Sequence, residues 1–250
     1  MILLRSPEEI EKMRKSNGIV ASVLARLSEI VAPGVTTRDL DKISEDLCRK
    51  YKAKPAFKGY HGFPFSLCAS VNEQVVHGFP NDKPLKEGDI LSIDFGVLYD
   101  GYYGDAAITL PVGTIGKDAE RLLKVTKESL HLGLQEAREE RRLSDISHAI
   151  QRHVEAAGFS VVRQFVGHGI GQQLHEDPQV PNFGPPGRGV RLKRGMVLAI
   201  EPMVNMGSWE VEILNDGWTA VSVDRSLSAH FEHTVAITPN GPDILSLRPL

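Results

Sequence analysis

The alternation of apolar and polar residues along the chain predicts four helices. The first begins at Ser6-Pro7-Glu8-Glu9, where a capping serine, a proline at the first helical position and a glutamate three residues after the serine mark a helix start. Apolar residues then recur at helical spacing until Pro33-Gly34, which predicts the end of this helix. A second helix is predicted from Thr37, and two more near residues 118–137 and 144–157.

Shorter apolar segments bounded by glycine, proline, asparagine and aspartate predict β-strands. They lie at residues 65–71, 90–95, 102–110, 161–166, 196–200, 211–214, 219–223 and 231–237. Helices and strands mixed in this way predict an α+β fold. Because no low-complexity or linker-like stretch divides the chain, we expect residues 1–250 to form a single domain.

A short internal repeat relates the two halves of the chain. Residues 86–94, KEGDILSID, can be laid over residues 193–201, KRGMVLAIE, and each copy ends in a carboxylate. The match is short, so a chance similarity between two apolar strands is the alternative interpretation. A true repeat predicts a pseudo-twofold axis that places Asp94 and Glu201 at equivalent positions.

Asp94 and Asp105 flank a predicted hairpin. Asp100-Gly101 is a strong two-residue turn signal, and a turn there pairs position 94 with position 107. Asp105 then becomes the diagonal neighbour of Asp94 on the same face of the sheet. On a solvated face this pair would need no explanation. However, the apolar residues around both aspartates favour a buried pair, which needs protons, a base or cations as partners.

Three more side chains complete a candidate metal site. His168 lies between glycines, which allow close backbone approach, although a structural histidine in a glycine turn is the alternative. Glu201 directly precedes a proline and Glu232 lies in an apolar strand, and each alone could be a core acid paired with Arg or Lys. With the two aspartates they give four carboxylates and one imidazole, which suits Mn, Fe, Co or Zn better than Ca or Mg. The HExxH pattern of single-zinc peptidases is absent from the sequence.

Composition narrows the class of protein. The net charge of −3 over 250 residues argues against a nucleic-acid-binding or membrane-binding surface. The two cysteines, Cys48 and Cys68, form neither a disulfide framework nor a CxxC zinc pair. Because the apolar run at residues 1–4 is too short for a signal peptide, we expect a cytoplasmic protein.

Nearly the whole chain resembles the type I methionine aminopeptidases of the M24 metallopeptidase family. The most specific stretch is Phe165-Val166-Gly167-His168-Gly169-Ile170-Gly171, followed by His175 and by Val180-Pro181-Asn182-Phe183. The resemblance implies the pita-bread fold, in which two related α+β halves wrap around a central antiparallel sheet. It also implies removal of the N-terminal methionine from nascent peptides whose second residue is small.

The resemblance further implies two divalent metal ions and a role for each ligand. Asp94 chelates one ion, His168 binds the other, Asp105 and Glu201 complete the shells, and Glu232 bridges the two ions. A hydroxide between the ions then attacks the first peptide bond. By the same resemblance Glu201 is also expected to shuttle protons.

Two more histidines and an apolar pocket acquire roles from the same resemblance. His175 helps to stabilise the oxyanion, and His77, which on sequence alone is best interpreted as a hydrogen-bonded core histidine, contacts the scissile amide or helps to protonate the leaving amine. The methionine side chain is expected to lie among Phe57, Tyr60, Phe63, Cys68, Leu174 and Trp218, each of which could equally be ordinary core. Phe63 and Leu174 replace a tyrosine and a phenylalanine that are common in the family, so the substrate preference is left open.

Two other functions stay open on the sequence. One is a proline-directed aminopeptidase of the same fold and metal set, and the other is a non-catalytic binding relative that has lost its metals. The retention of all five ligand positions argues against the second. We expect a monomer that acts on peptide N-termini with transient ribosome contact and that has no affinity for nucleic acid or membranes.

Overall fold

The computed structural model describes residues 1–247. Its helices are α1 (Pro7–Ile30), α2 (Thr37–Lys50), α3 (Lys117–Glu136) and α4 (Leu143–Ala156), and a short 3-10 turn covers Tyr60–Gly62. Its strands are β1 (Lys54–Pro55), β2 (Cys68–Val71), β3 (Gln74–Val76), β4 (Ile90–Tyr99), β5 (Tyr102–Pro111), β6 (Ser160–Val161), β7 (Gly167–Gly169), β8 (Glu176–Val180), β9 (Val197–Ile200), β10 (Met203–Asn205), β11 (Val211–Ile213), β12 (Ala220–Ser222), β13 (Ser228–His230), β14 (Glu232–Thr238) and β15 (Gly241–Ile244). No helix within the described range is long and apolar enough to cross a membrane.

All four predicted helices form, with boundaries close to those expected. The start of α1 has the predicted capping box: Ser6 Oγ accepts a hydrogen bond from the Glu9 amide at 3.3 Å, and Glu9 Oε2 accepts one from the Ser6 amide at 2.8 Å. These bonds satisfy amide groups that have no partner inside the helix. The start of this helix was therefore correctly predicted from local sequence.

A long antiparallel sheet runs through the molecule in the order β1-β4-β5-β14-β9-β7-β8, with β2 also paired to β4 and β15 to β14. The hairpin β4–β5 has the predicted register, with Tyr99 opposite Tyr102 and Asp94 opposite Ala107. Asp100 and Gly101 both have positive φ, 48° and 80°, as the expected two-residue turn requires.

The two halves of the chain repeat the same local arrangement. Thr36, the N-cap of α2, forms an isolated antiparallel bridge with Pro84 just before the first copy of the repeat. Arg142, the N-cap of α4, forms the same kind of bridge with Arg191 just before the second copy. Each half also packs its pair of helices over its own apolar cluster. The predicted α+β fold with a central antiparallel sheet is confirmed.

Some strands differ from those predicted. The expected strand at residues 161–166 is limited to Ser160–Val161, because its partner β10 is itself only three residues long. The expected strand at 65–71 starts only at Cys68. Strands that were not predicted are β1, β3, β7, β8, β10, β13 and β15.

Helix α1 lies directly on β5 at a glycine. A Cβ atom added to Gly104 would lie 2.7 Å from the backbone nitrogen of Asn17, so only glycine permits this approach. The Asn17 side-chain oxygen also accepts a hydrogen bond from the Asp105 amide at 3.3 Å. The helix thus fixes the backbone of the strand that carries Asp105.

We therefore predict that Gly104→Ala lowers the free energy of unfolding by about 1–3 kcal/mol, because the added methyl group must push α1 away from β5. The matched control is Gly18→Ala. Gly18 lies on α1, and no atom lies within 4 Å of a Cβ added there. That change should stabilise the protein by up to about 1 kcal/mol. Urea unfolding measures both values, and an unchanged stability for Gly104→Ala would contradict the contact.

Candidate metal centre

The strand register puts Asp94, Asp105 and Glu232 on one face of the sheet. Asp94 on β4 and Glu232 on β14 both pair directly with Ala107 of β5, one from each side. Asp105 lies two residues before Ala107, and side chains two apart on a strand point to the same face. The three carboxylates therefore share a face, and only the methyl side chain of Ala107 lies between Asp94 and Glu232.

The second half supplies its ligands to the same face. Thr234, two residues after Glu232, pairs with Ala199 of β9, and His168 of β7 pairs with Ala199 from the other side. Glu201 lies two residues beyond Ala199, at the point where β9 ends. The structure thus brings all five predicted ligands together, although they come from β4, β5, β7, β14 and the end of β9.

The ligand atoms converge on a small volume. One ligand atom each from Asp105, His168 and Glu232 lies within 4.8 Å of the other two, and all three residues are buried. Glu201 Oε1 lies 3.6 Å from His168 Nε2. One oxygen each of Asp94, Asp105 and Glu232 is buried without a hydrogen-bond partner within residues 1–247. A buried acceptor without a hydrogen bond lowers the stability of the folded protein, and bound divalent cations would satisfy these oxygens.

His168 is arranged as a nitrogen ligand. Its Nδ1 lies 2.8 Å from the carbonyl oxygen of Gly169, which can only accept, so Nδ1 carries the proton and Nε2 keeps a free lone pair. Close backbone contacts require the flanking glycines, because a Cβ on Gly167 would lie 2.3 Å from the carbonyl oxygen of Ala199. Burial lowers the pKa of His168 to about 3, so the imidazole is neutral at physiological pH.

The carboxylates are held in a strongly unfavourable environment for negative charge. Burial, followed by mutual repulsion, raises the pKa of Asp105 and Glu232 well above the usual range. Burial is also the main cause that raises the pKa of Asp94 to about 7 and of Glu201 to about 8. Within residues 1–247 no lysine or arginine forms an ion pair with any of them, so the alternative of structural pairs with basic residues does not apply.

A cavity of about 460 Å³ opens onto these groups. Every site residue predicted from the sequence lines it: Phe57, Tyr60, Phe63, Cys68, His77, Asp94, Asp105, His168, Leu174, His175, Glu201, Trp218 and Glu232. The carboxylates form one wall and the aromatic residues another. A cluster of polar groups and an apolar slot therefore line the same cavity.

The apolar wall is fixed by edge-to-face aromatic packing. The ring of Phe63 lies 5.2 Å from that of Trp218 and 5.5 Å from that of Phe79, both nearly perpendicular. Cys68 is paired directly with Asp94, so the bottom of the slot adjoins the carboxylate cluster. The Tyr60 hydroxyl lies 2.7 Å from His175 Nδ1 and holds that imidazole at the edge of the cavity.

Some residues of the site were missed by the sequence analysis. The cavity is also lined by His61, Val76, Phe165, Val166 and Met203. His230 is fully buried and its Nε2 lies 3.7 Å from Glu201 Oε2. A usable signal was available for His230, since it precedes Glu232 by two residues and strand periodicity puts both on one side. No local signal marks His61, which lies in the short 3-10 turn.

Comparisons with known proteins agree with this geometry. Residues 11–239 match the family described as metallopeptidase family M24. The chain is 58% identical to a methionine aminopeptidase of Clostridium perfringens over 99% of both proteins. It is 50% identical to the crystal structure of a methionine aminopeptidase from Thermotoga maritima, with a TM-score of 0.97 over 98% of this chain and 99% of that one. The chain therefore belongs to the M24 metallopeptidase family.

The same fold occurs in more distant proteins. The prolidase of Pyrococcus horikoshii superposes with a TM-score of 0.81 at 22% identity, covering 100% of this chain and 65% of that one. At this identity the likeness extends to the fold alone. The pita-bread fold expected from the sequence is confirmed, as is the expected class of metal-dependent peptidase.

The raised carboxylate pKa values predict how the metal-free protein responds to pH. A raised pKa means that the folded state keeps a proton that the unfolded state has lost, so stability decreases as pH rises through the folded-state pKa. Below pH 6.5 the buried histidines have the opposite effect on stability. Their pKa is lowered, so they stay neutral in the folded state while the unfolded state binds protons, and stability rises with pH up to about 6.5. The informative range is therefore pH 6.5–8.

With a chelator present, we predict that the free energy of unfolding falls across that range by about 1.4 kcal/mol per pH unit for each proton retained. Saturating Mn²⁺ should remove the decrease, because the cation replaces the protons. Asp94→Asn, which replaces one titrating carboxyl by a neutral amide, should make the slope shallower. Urea unfolding at several pH values measures it, and a stability that rises with pH in the chelated protein would contradict the cluster.

Proposed function

We propose that this protein is a metal-dependent aminopeptidase that removes the N-terminal methionine from peptides with a small second residue. The observation that carries the proposal is the convergence of Asp105, His168 and Glu232 on one buried point beside an apolar slot. The methionine aminopeptidases to which the chain is 58% and 50% identical supply the substrate class.

The donor set fits a pair of divalent ions. Buried carboxylate oxygens without partners and a neutral imidazole nitrogen are the ligands that Mn, Fe, Co or Zn accept. Asp94, Asp105, His168, Glu201 and Glu232 would hold these ions, with Asp94 serving one ion and His168 the other. When bound, the ions supply a water molecule of lowered pKa as the nucleophile and positive charge opposite the developing oxyanion.

The protein groups around this centre orient the substrate and move its protons. Burial lowers the pKa of His77 to about 4, so it stays neutral and can donate a hydrogen bond to the scissile amide. Burial also lowers the pKa of His175, which contributes a neutral donor to the carbonyl oxygen. Glu201, whose Oε1 lies 3.6 Å from His168 Nε2, is assigned to accept a proton from the attacking water and to release it to the leaving amine.

Methionine selection is assigned to the apolar wall. Phe63, Trp218 and Cys68 enclose a space that suits a flexible thioether side chain, and sulfur makes favourable contacts with aromatic rings. Phe57, Tyr60 and Leu174 complete this slot. Because the carboxylate cluster adjoins the bottom of the slot, a methionine seated there has its free amine close to Asp94.

The wider properties of the protein are also proposals. We take residues 1–250 as one catalytic domain, working as a monomer in the cytoplasm on nascent chains with transient ribosome contact. A net charge of −3 gives no support to nucleic-acid binding. A proline-directed peptidase is the second candidate, and the likeness to a prolidase supports only the shared fold.

The substrate proposal predicts a strong preference between tripeptides. The metal-loaded protein should release methionine from Met-Ala-Ser and leave Ala-Pro-Ser intact, because the slot is built for a long apolar first residue. Free amino acids quantified by chromatography provide the measurement. Faster cleavage of Ala-Pro-Ser would favour the proline-directed candidate, and cleavage of neither by protein with bound metal would favour a binding relative.

The ligand assignment predicts loss of metal in one variant. Asp94→Ala should bind fewer ions than wild type and lose more than about 100-fold in kcat/KM, since even changes outside the ligand shell cost about 10–100-fold. The matched control is Asp82→Ala at an exposed aspartate, which should match wild type. Metal analysis after dialysis gives the ion content, and full activity of wild type in excess chelator would refute the proposal.

A further inference from the structure

His230 is a buried histidine next to the centre to which no role has been assigned. The pairing register is the same on both sides of the break between β9–β14 and β10–β13. Glu201 therefore lies opposite Glu232, and His230 is the diagonal neighbour of Glu201 across the two chains. Its position follows from the strands and not from a flexible loop.

The carboxylate of Glu201 lies between two imidazoles. His168 Nε2 is 3.6 Å from Oε1, and His230 Nε2 is 3.7 Å from Oε2. The Nε2 atom of His230 is buried and has no hydrogen-bond partner within residues 1–247. A buried polar atom without a partner that points toward a carboxylate indicates an interaction completed at that carboxylate.

The backbone of His230 is anchored to the strand that carries Asp105. The Thr109 hydroxyl of β5 donates to the His230 carbonyl oxygen at 2.8 Å and accepts from the His230 amide at 2.9 Å. Ser92 on β4 is hydrogen-bonded to the same hydroxyl at 2.8 Å. These bonds fix the Cα position, so the ring has little freedom except rotation about its own side-chain bonds.

We propose that His230 is a positioning residue that donates a hydrogen bond from Nε2 to Glu201 Oε2 and so leaves Oε1 directed toward the His168 side of the centre. As a ligand of a bound cation Glu201 is ionised and can only accept, so the proton of this hydrogen bond lies on Nε2 of His230. The distance of 3.7 Å exceeds a normal hydrogen bond by less than about 1 Å, which a small rotation of either side chain closes. The inference rests on the proposed function, in which Glu201 is a ligand.

The test compares two substitutions of this histidine. His230→Leu has a similar apolar volume and no donor, and it should weaken Mn²⁺ binding by about 10–100-fold in calorimetric titration, as expected for loss of a group that orients a ligand. His230→Gln keeps an N–H donor at a similar reach and should bind Mn²⁺ nearly as well as wild type. Release of methionine from Met-Ala-Ser should follow the same order.

A structural control lies on the same strand. His233 is half-buried on the opposite side of the sheet, where its Nδ1 is hydrogen-bonded to Ser246 Oγ at 2.7 Å. His233→Leu should lose stability without losing affinity for Mn²⁺. If His233→Leu weakens Mn²⁺ binding as much as His230→Leu does, the effect is a general loss of packing and the inference is wrong.

The remaining outcomes separate the two proposals. If wild type binds Mn²⁺ and releases methionine, and His230→Leu does both equally well, only the role of His230 is overturned. Failure of His230→Gln to restore Mn²⁺ binding would also overturn it. An amide N–H can replace a hydrogen-bond donor but not a ring nitrogen that binds the metal, so this result would indicate that His230 is itself a ligand. Wild-type protein that neither binds Mn²⁺ nor releases methionine would overturn both proposals.

A second measurement does not depend on the folding of any variant. In ¹⁵N-histidine-labelled wild type loaded with Zn²⁺, long-range ¹H–¹⁵N spectra identify which ring nitrogen carries the proton. We expect His230 to be neutral with its proton on Nε2, and His168 to be neutral with its proton on Nδ1. A proton on Nδ1 of His230 would contradict the proposed hydrogen bond.

Discussion

Repulsion among four carboxylates, two buried and two half-buried, is the constraint on which the rest of the structure depends. Asp94, Asp105, Glu201 and Glu232 share one face of a sheet, and desolvation adds to their mutual repulsion. No basic side chain within the described part of the chain neutralises them. An arrangement of this kind is stable only with bound protons or bound cations. Exchange of protons for cations therefore changes both the stability of the fold and the occupancy of the metal centre.

Neither half of the chain carries all five predicted ligands, so the site forms only when the two halves fold together. The first half contributes Asp94 and Asp105 on a hairpin, and the second contributes His168, Glu201 and Glu232. Small residues leave room above the sheet: a Cβ on Gly96, opposite Asp105, would lie 3.1 Å from Asp105 Oδ1. The helices pack on the outer side of the sheet, so the face that carries the acids stays open to the cavity.

Local signals in the sequence predicted part of this arrangement. The turn at Asp100-Gly101 set the register of β4 and β5, and with it the relation between Asp94 and Asp105. The repeat predicted that Asp94 and Glu201 occupy equivalent strands, and the resemblance to a known family supplied the roles. The short strands β10 and β13 could not be predicted, because three-residue segments form only through pairing with residues distant in sequence. His230 itself could have been found from its spacing of two residues before Glu232, but its contact with Glu201 could not, because that contact exists only after β9 and β14 have paired.

The central claim is that five side chains hold two neighbouring divalent ions. Anomalous diffraction from crystals soaked in Mn²⁺, collected near the manganese absorption edge, tests it most directly. The account predicts two peaks about 3.5–4 Å apart, one beside Asp94 and the other beside His168, with Glu232 between them. Anomalous peaks only elsewhere on the protein, or none in crystals that diffract well, would contradict it.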